Sequence, residues 1–303
     1  MIYSQKYPKT GFLFIKKSHI FYICAMNLLS VTWDVSPEIF NMAGFPLKYY
    51  GLLFLAGLVL CYTILKSVYK KENLSQQAHE ALFSYAFIGI LVGARLGHCL
   101  FYDFDYYSQH PVEIFLPIQK GTDGAYHFSG YAGLASHGGG IGLIIMLLVY
   151  ARKFSIKFMS VLDVIAIATP LAGAFIRLGN LMNSEIIGTP SDAPWAFVFT
   201  QVDQIPRHPA QLYEAVCYLL IFLAVYFMYQ KNSFKIGKGF YFGITTLLIF
   251  IVRFFVEFVK EDQVDFEHGM SLNMGQILSI PFLFIGLFFI VKSIREKNKI
   301  SVS

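Results

Sequence analysis

Apolar and polar residues in this chain fall into long blocks rather than short alternations. Seven apolar windows stand out, near residues 47–66, 80–102, 131–151, 159–181, 210–230, 239–259 and 273–292. A helix needs roughly 20 apolar residues to cross a bilayer, so the blocks predict about seven transmembrane helices. The connections alternate in charge. One set carries Lys66, Lys70 and Lys71, then Arg152, Lys153 and Lys157, then Lys231, Lys235 and Lys238, then Lys292, Arg295, Lys297 and Lys299. The other set holds Lys120, Arg207 and Lys260, together with most of the acids, such as Asp103, Asp105, Glu113, Asp123, Glu261, Asp262 and Asp265. Thirteen cations against three is a positive-inside asymmetry. It predicts a cytoplasmic C-terminus and an external amino side for the first helix.

Composition points the same way. Of the 303 residues, 56% are hydrophobic and 14% charged, whereas soluble domains carry about a quarter charged residues. Mean hydropathy is +0.55. So few charges cannot cover a soluble surface, which excludes a cytosolic enzyme, a nucleic-acid binder and a disordered chain. The expected fold is an all-α polytopic membrane protein with a small extracytoplasmic cap built from two long outer loops. The net charge of +5 adds little, because loop placement carries the information. Cys24, Cys61, Cys99 and Cys217 all lie in apolar stretches without a CxxC spacing. They read as buried hydrophobes, neither disulfides nor metal ligands.

Three regions follow. Residues 1–46 form an N-terminal extension and outer segment, 47–292 the membrane domain, and 293–303 a basic cytoplasmic tail. The cap segments are 103–130 and 183–209. Within the extension, Lys16 and Lys17 precede the apolar run Ile20–Val31 in the manner of a signal peptide, but no small-x-small cleavage site follows. Translation from Met26 is the alternative reading. No internal repeat is evident, which weakens an inverted-repeat transporter.

Ionisable residues at membrane depth cost about 2.5–3.5 kcal/mol or more unless paired or wet. The densest group is Gly173-x-x-x-Arg177-Leu-Gly-Asn180-x-x-Asn183-x-Glu185-x-x-Gly188. Arg177 and Asn180, three apart, share a helical face. Arg253 and Glu257 are four apart on the sixth window. They are either an internal ion pair or a ligand-facing arginine held by its glutamate. Two arginines toward the outer leaflet suit an anionic group, since the guanidinium fork matches phosphate.

His137 opens the run His137-Gly138-Gly139-Gly140, where missing side chains let a substrate or a neighbouring helix approach closely. Imidazole titrates near neutral pH, so His137 is a candidate proton handler. Arg207-His208-Pro209-Ala210-Gln211-Leu212-Tyr213-Glu214 opens the fifth window. Its polar residues are either functional or interfacial anchors, and Tyr50 in the first window shares that ambiguity. Arg95 and His98 read as interfacial. Asp163 reads as structural, paired to a loop lysine.

These motifs, with Asn273-Met-Gly275-Gln276, closely resemble those of the bacterial prolipoprotein diacylglyceryl transferase family from about Tyr50 to Pro281. The resemblance implies transfer of the diacylglyceryl group of phosphatidylglycerol to the lipobox cysteine of a prolipoprotein. The products would be a thioether-linked lipid and glycerol 1-phosphate, made in the bacterial cytoplasmic (inner) membrane. Its implied partners are phosphatidylglycerol, the lipobox signal peptide and the lipid bilayer, with no cofactor, metal or nucleic acid.

The resemblance casts His137 as the base that forms the thiolate and Arg253 as catalytic. Arg177 binds phosphatidylglycerol, Asn180 and Glu185 hydrogen-bond its head group or orient Arg177, and Gly188 leaves room for it. Glu257 orients Arg253, and Tyr50 lines the pocket. One departure is Ile249, where studied members carry a tyrosine. Tyr241 or a water is the expected substitute for that hydroxyl. The competing reading is a membrane transporter for an organic anion, with Arg177 and Arg253 as its site; a structural assembly protein, with polar residues gluing helices, is a third.

Overall fold

A computed structural model describes residues 30–42, 45–116, 118–120, 126–128, 133–261 and 270–302. The apolar run Ile20–Val31 lies outside the described residues except for its end, as do Cys24 and Met26. Among the described residues, six helices are long and apolar enough to cross a membrane. They are α1 (Tyr49–Lys71), α2 (Gln76–Phe101), α6 (Phe158–Met182), α7 (Ala210–Gln230), α8 (Phe240–Val256) and α9 (Met274–Val302). The third apolar window instead gives α5 (Ser136–Lys153), 18 residues opened by polar and glycine residues. It falls short of the apolar content of a span because both of its ends are polar. The segment expected as a tail continues α9 as helix to Val302.

Short helices α3 (Phe104–Gln109) and α4 (Pro111–Phe115) follow α2. Strands add what the helical pattern did not forecast. β1 (Val31–Trp33) lies parallel to β6 (Phe197–Phe199), which pairs antiparallel with β7 (Pro206–Arg207). Two further antiparallel pairs among the described residues are β2 (Glu38–Met42) with β3 (Phe45–Lys48) and β4 (Ile118–Lys120) with β5 (Tyr126–Phe128). The chain before the first span therefore joins the cap: Trp33 Nε1 donates to the Leu181 carbonyl at the end of α6, 3.1 Å away.

α6 is the central helix, touching α1, α5, α7 and α8. Its apolar face, with Val161, Val164, Ile167 and Leu171, packs into the main core. Pro170 has no N–H, which frees the Ala166 carbonyl one turn earlier. The Thr245 hydroxyl of α8 donates to that carbonyl at 3.2 Å. Arg95 does more than sit at an interface: it is buried and donates to the carbonyls of Glu113 and Ile114, fixing the arm after α2. Large apolar side chains such as Leu55, Phe87, Leu220 and Phe284 point outward, as a lipid-facing belt requires.

Glycines set the α2–α5 contact. A Cβ on Gly97 would stand 2.7 Å from Gly138 Cα, and one on Gly93 2.7 Å from Gly142 Cα. In the run after His137, Gly138 and Gly139 thus serve close helix packing against α2, while Gly140 faces open space. Cys61 and Cys99 are buried and Cys217 half-buried, all three free thiols.

Asp163 is structural, but its partner is backbone rather than a lysine. Its carboxylate accepts from the N–H groups of Gly237 (2.8 Å), Gly239 (2.9 Å) and Phe242 (2.9 Å), capping the start of α8. Asp163→Ala leaves three donors without an acceptor and should cost about 3 kcal/mol. Thermal melts in detergent measure this, and Asp163→Asn, which keeps a carbonyl acceptor, should lose clearly less.

Candidate active site

Most of the polar residues singled out in the sequence gather where the cap meets the helix ends. α6 ends there with Arg177 and Asn180, α7 begins there with Gln211 and Glu214, α8 ends there with Arg253, and α9 begins there. Glu214 is the hub. Its fully buried carboxylate pairs with Arg177 Nε at 2.8 Å and Lys260 Nζ at 3.1 Å. The Tyr218 hydroxyl donates to it at 3.4 Å and lies in the field of both Arg177 and Arg253. Lys260 also pairs with Glu257 at 3.2 Å.

A hydrogen-bonded chain leads outward from Arg177. Its Nη1 donates to Asn180 Oδ1 at 3.3 Å, and Asn180 Nδ2 donates to Glu185 Oε1 at 2.6 Å. Asn183 Nδ2 donates to the same oxygen at 3.3 Å. Gln211 Nε2 holds the Glu185 backbone carbonyl at 2.7 Å. Arg177, Asn180 and Glu185 thus form one relay from a buried carboxylate to an exposed one. Tyr50 packs its ring over Gly179, where a Cβ would stand 2.7 Å from Cδ2.

Several readings need correction in detail. Glu257 pairs with Lys260, and Arg253 makes no hydrogen bond or ion pair among the described residues. The reason is local: α8 ends at Val256, and Glu257–Val259 form a 3₁₀ turn. Three residues per turn align positions i and i+3 in place of i and i+4. The bareness of Gly188 does not open space for a ligand, since a Cβ there would meet the His208 carbonyl at 2.5 Å and the Val259 carbonyl at 2.6 Å. Gly188 lets two backbone segments close over the site, and its N–H donates to the His208 carbonyl at 3.0 Å.

Tyr241 cannot supply the hydroxyl absent at Ile249. It lies twelve residues before Arg253, about 18 Å along the helix, and donates to the Phe234 carbonyl. The hydroxyl near the arginines comes from Tyr218 of α7. His137 occupies the first turn of α5 with an exposed side chain and makes no hydrogen bond to the cluster among the described residues.

Glu214 and Lys260 were missed as site residues. Glu214 had a signal, an acid at the opening of an apolar window, which also fits an interfacial anchor. Asn273-x-x-Gln276 had a plainer one, an N-cap with Gln three residues later. The Asn273 N–H donates to Gln276 Oε1 at 3.1 Å and the Gln276 N–H to Asn273 Oδ1 at 2.9 Å. This box fixes the start of α9 and brings Gly275 onto Glu257, whose carboxyl carbon a Cβ would approach to 2.5 Å. Among the described residues, no group of His, Cys, Asp and Glu is arranged to hold a metal ion.

Fold and cluster together define a polytopic membrane protein with a cationic polar centre under a cap at one end. Comparison with known proteins narrows this. The family model for prolipoprotein diacylglyceryl transferase matches residues 37–292. A phosphatidylglycerol–prolipoprotein diacylglyceryl transferase of Bacteroides fragilis is 53% identical over 271 residues, covering 89% of this chain and 98% of its own length. Proteins of the same name from Tolumonas auensis and Chloroherpeton thalassium are 40% and 38% identical, each over 88% of this chain and 99% and 95% of their own lengths. The chain belongs to the prolipoprotein diacylglyceryl transferase family.

The cap is latched beside this centre by Arg207, which pairs with Glu261 and, at 2.6 Å, with Asp203. Burial raises the Asp203 carboxyl, but hydrogen bonds from Arg207 and the Ile205 N–H outweigh it and leave the group below its ordinary value. A depressed folded pKa contributes stability above the unfolded value of about 3.9 and loses it as pH falls through the folded value. Hydrogen-exchange protection at residues 197–207, corrected for the intrinsic pH dependence of exchange, should therefore fall below about pH 4. Asp203→Asn should exchange faster at neutral pH and lose that acid-dependent step.

Proposed function

We propose that the protein transfers the diacylglyceryl group of phosphatidylglycerol to the lipobox cysteine of a prolipoprotein, the first step of lipoprotein maturation. The observation that carries this reading is the pair of arginines at one end of the bundle. Arg177 is ordered by Glu214, and Arg253 has no protein counter-ion among the described residues. A phosphodiester with its glycerol head group fits that charge pattern, with Asn180 and Glu185 placed to meet hydroxyl groups.

The step balances as a displacement at carbon. The cysteine proton passes to a base, and the thiolate forms an S–C bond to the glyceryl carbon. The C–O bond to phosphate breaks, and its electron pair leaves on glycerol 1-phosphate. A thiol with pKa near 8.5 gains from a base at neutral pH. His137 is that base in this reading; its exposed imidazole is free to meet an incoming peptide. Arg177 and Arg253 stabilise the charge that grows on the leaving phosphate. Tyr50, seated on Gly179, lines the lipid pocket, while Gly188 builds its wall.

The protein would sit in the bacterial inner membrane with its cap outside and its C-terminus in the cytoplasm, as the cation asymmetry requires. An anion transporter is disfavoured because the polar groups collect at one end rather than at a midplane site.

Purified protein mixed with phosphatidylglycerol vesicles and a lipobox peptide should add one diacylglyceryl unit to the peptide and release glycerol phosphate. A Cys→Ser peptide should gain nothing. Equal mass gain on both peptides, or on neither, sinks the assignment. Arg177→Ala should reduce transfer below detection while the protein still inserts. His137→Gln should lower the rate and remove the ionisation it contributes to the pH–rate profile, whereas an unchanged profile assigns the proton elsewhere.

A further inference from the structure

In the sequence Lys260 counts only as one of three outer cations, but its surroundings in the structure are unusual. It is buried, and its ammonium is held between two carboxylates, Glu214 at 3.1 Å and Glu257 at 3.2 Å. Its backbone is pinned as well, by a bridge to Gly188 and by its N–H donating to the Glu257 carbonyl at 3.3 Å. Gly275 packs directly on the Glu257 carboxylate, so that acid has little room to swing. Arg253, four residues before Glu257 in the chain, is left without a hydrogen bond or ion pair among the described residues.

In a low-dielectric setting a glutamate without another partner, four residues after an arginine in the chain, is drawn to pair with it. We infer that Lys260 sequesters Glu257 and so keeps Arg253 open for the phosphate of the lipid. Lys260 is a positioning residue here: it touches neither substrate nor reacting atoms, and it acts by denying Arg253 an internal partner. The 3₁₀ turn makes the arrangement work. It ends the helical register that would aim Glu257 back at Arg253, and it brings Lys260 into line at i+3. The inference rests on the proposed reading of the site as one for phosphatidylglycerol.

The test is a charge-rescue series in the transfer assay, with KM for phosphatidylglycerol and binding of glycerol 1-phosphate to the solubilised protein as readouts. Lys260→Met keeps side-chain length without charge and frees Glu257. It should raise KM and weaken glycerol 1-phosphate binding on the order of ten-fold or more, the scale of one charged hydrogen bond. Adding Glu257→Gln to Lys260→Met removes the competing acid and should recover most of that loss. A single variant indistinguishable from wild type, or a double variant as impaired as the single, overturns the inference.

If Lys260→Met fails to accumulate in the membrane, the comparison moves to Glu257→Gln against Glu257→Gln with Lys260→Met. Equal KM values are expected. A higher KM in the double variant would place the effect of Lys260 outside Glu257, on the anion itself or on Arg177 through Glu214, and would also overturn the inference. Wild-type protein that binds glycerol 1-phosphate but transfers nothing to the lipobox peptide refutes the proposed function instead, so the two failures are separable.

Discussion

The buried carboxylate of Glu214 governs the arrangement around it. A charge with no exposed surface inside a membrane bundle is tolerable only when compensated, and removing one partner of such a pair costs about 3–5 kcal/mol. Glu214 has two cations, Arg177 from α6 and Lys260 from beyond α8, plus the hydroxyl of Tyr218. Satisfying it forces the ends of three helices together. It also orders Arg177 with its fork still reaching Asn180, so one requirement of electrostatics produces both a helix junction and an oriented guanidinium.

The rest of the site is backbone closure. Gly179, Gly188 and Gly275 sit where a Cβ would strike Tyr50, His208 or Glu257. Each glycine lets one segment lie directly on another: the Tyr50 ring on Gly179, the His208 and Val259 carbonyls on Gly188, and the Glu257 carboxylate on Gly275. Arg207 ties this layer to the cap through Asp203, Glu261 and the Gly188 carbonyl. Rigidity on the cap side contrasts with Arg253 and His137, whose polar atoms have no protein hydrogen bond among the described residues. A site for an anionic lipid and a thiol needs both qualities: a charge scaffold that does not collapse when empty, and unspent donors and acceptors for the reactants.

How much of this the chain announced depends on the range of the interaction. Spans, basic connections and the clustered arginines are local in sequence, and each could be read from residues within a few turns of one another. The capping box at Asn273 and Gln276 was also written locally. By contrast, the i and i+4 spacing of Arg253 and Glu257 pointed to the wrong partner, because nothing nearby in sequence says that α8 stops at Val256. Tyr241 was misjudged for a related reason. Its chain distance to Arg253 is short, but twelve helical residues separate the two groups by the depth of the bilayer's half.

The sequence by itself determined the membrane class, the run of apolar helices, the residues whose burial demands a purpose and, through its motifs, the family. Those properties follow from hydrophobicity, charge and order along one strand of chain. Only the tertiary structure decided which charges meet. Glu214 found Arg177 across 37 positions and Lys260 across 46, β1 joined β6 across 166, and Gly138 and Gly139 after His137 met α2. Ion pairing and close backbone contact are set by distance in space, and in a helical bundle residues far apart in the chain become neighbours only when the helices have packed.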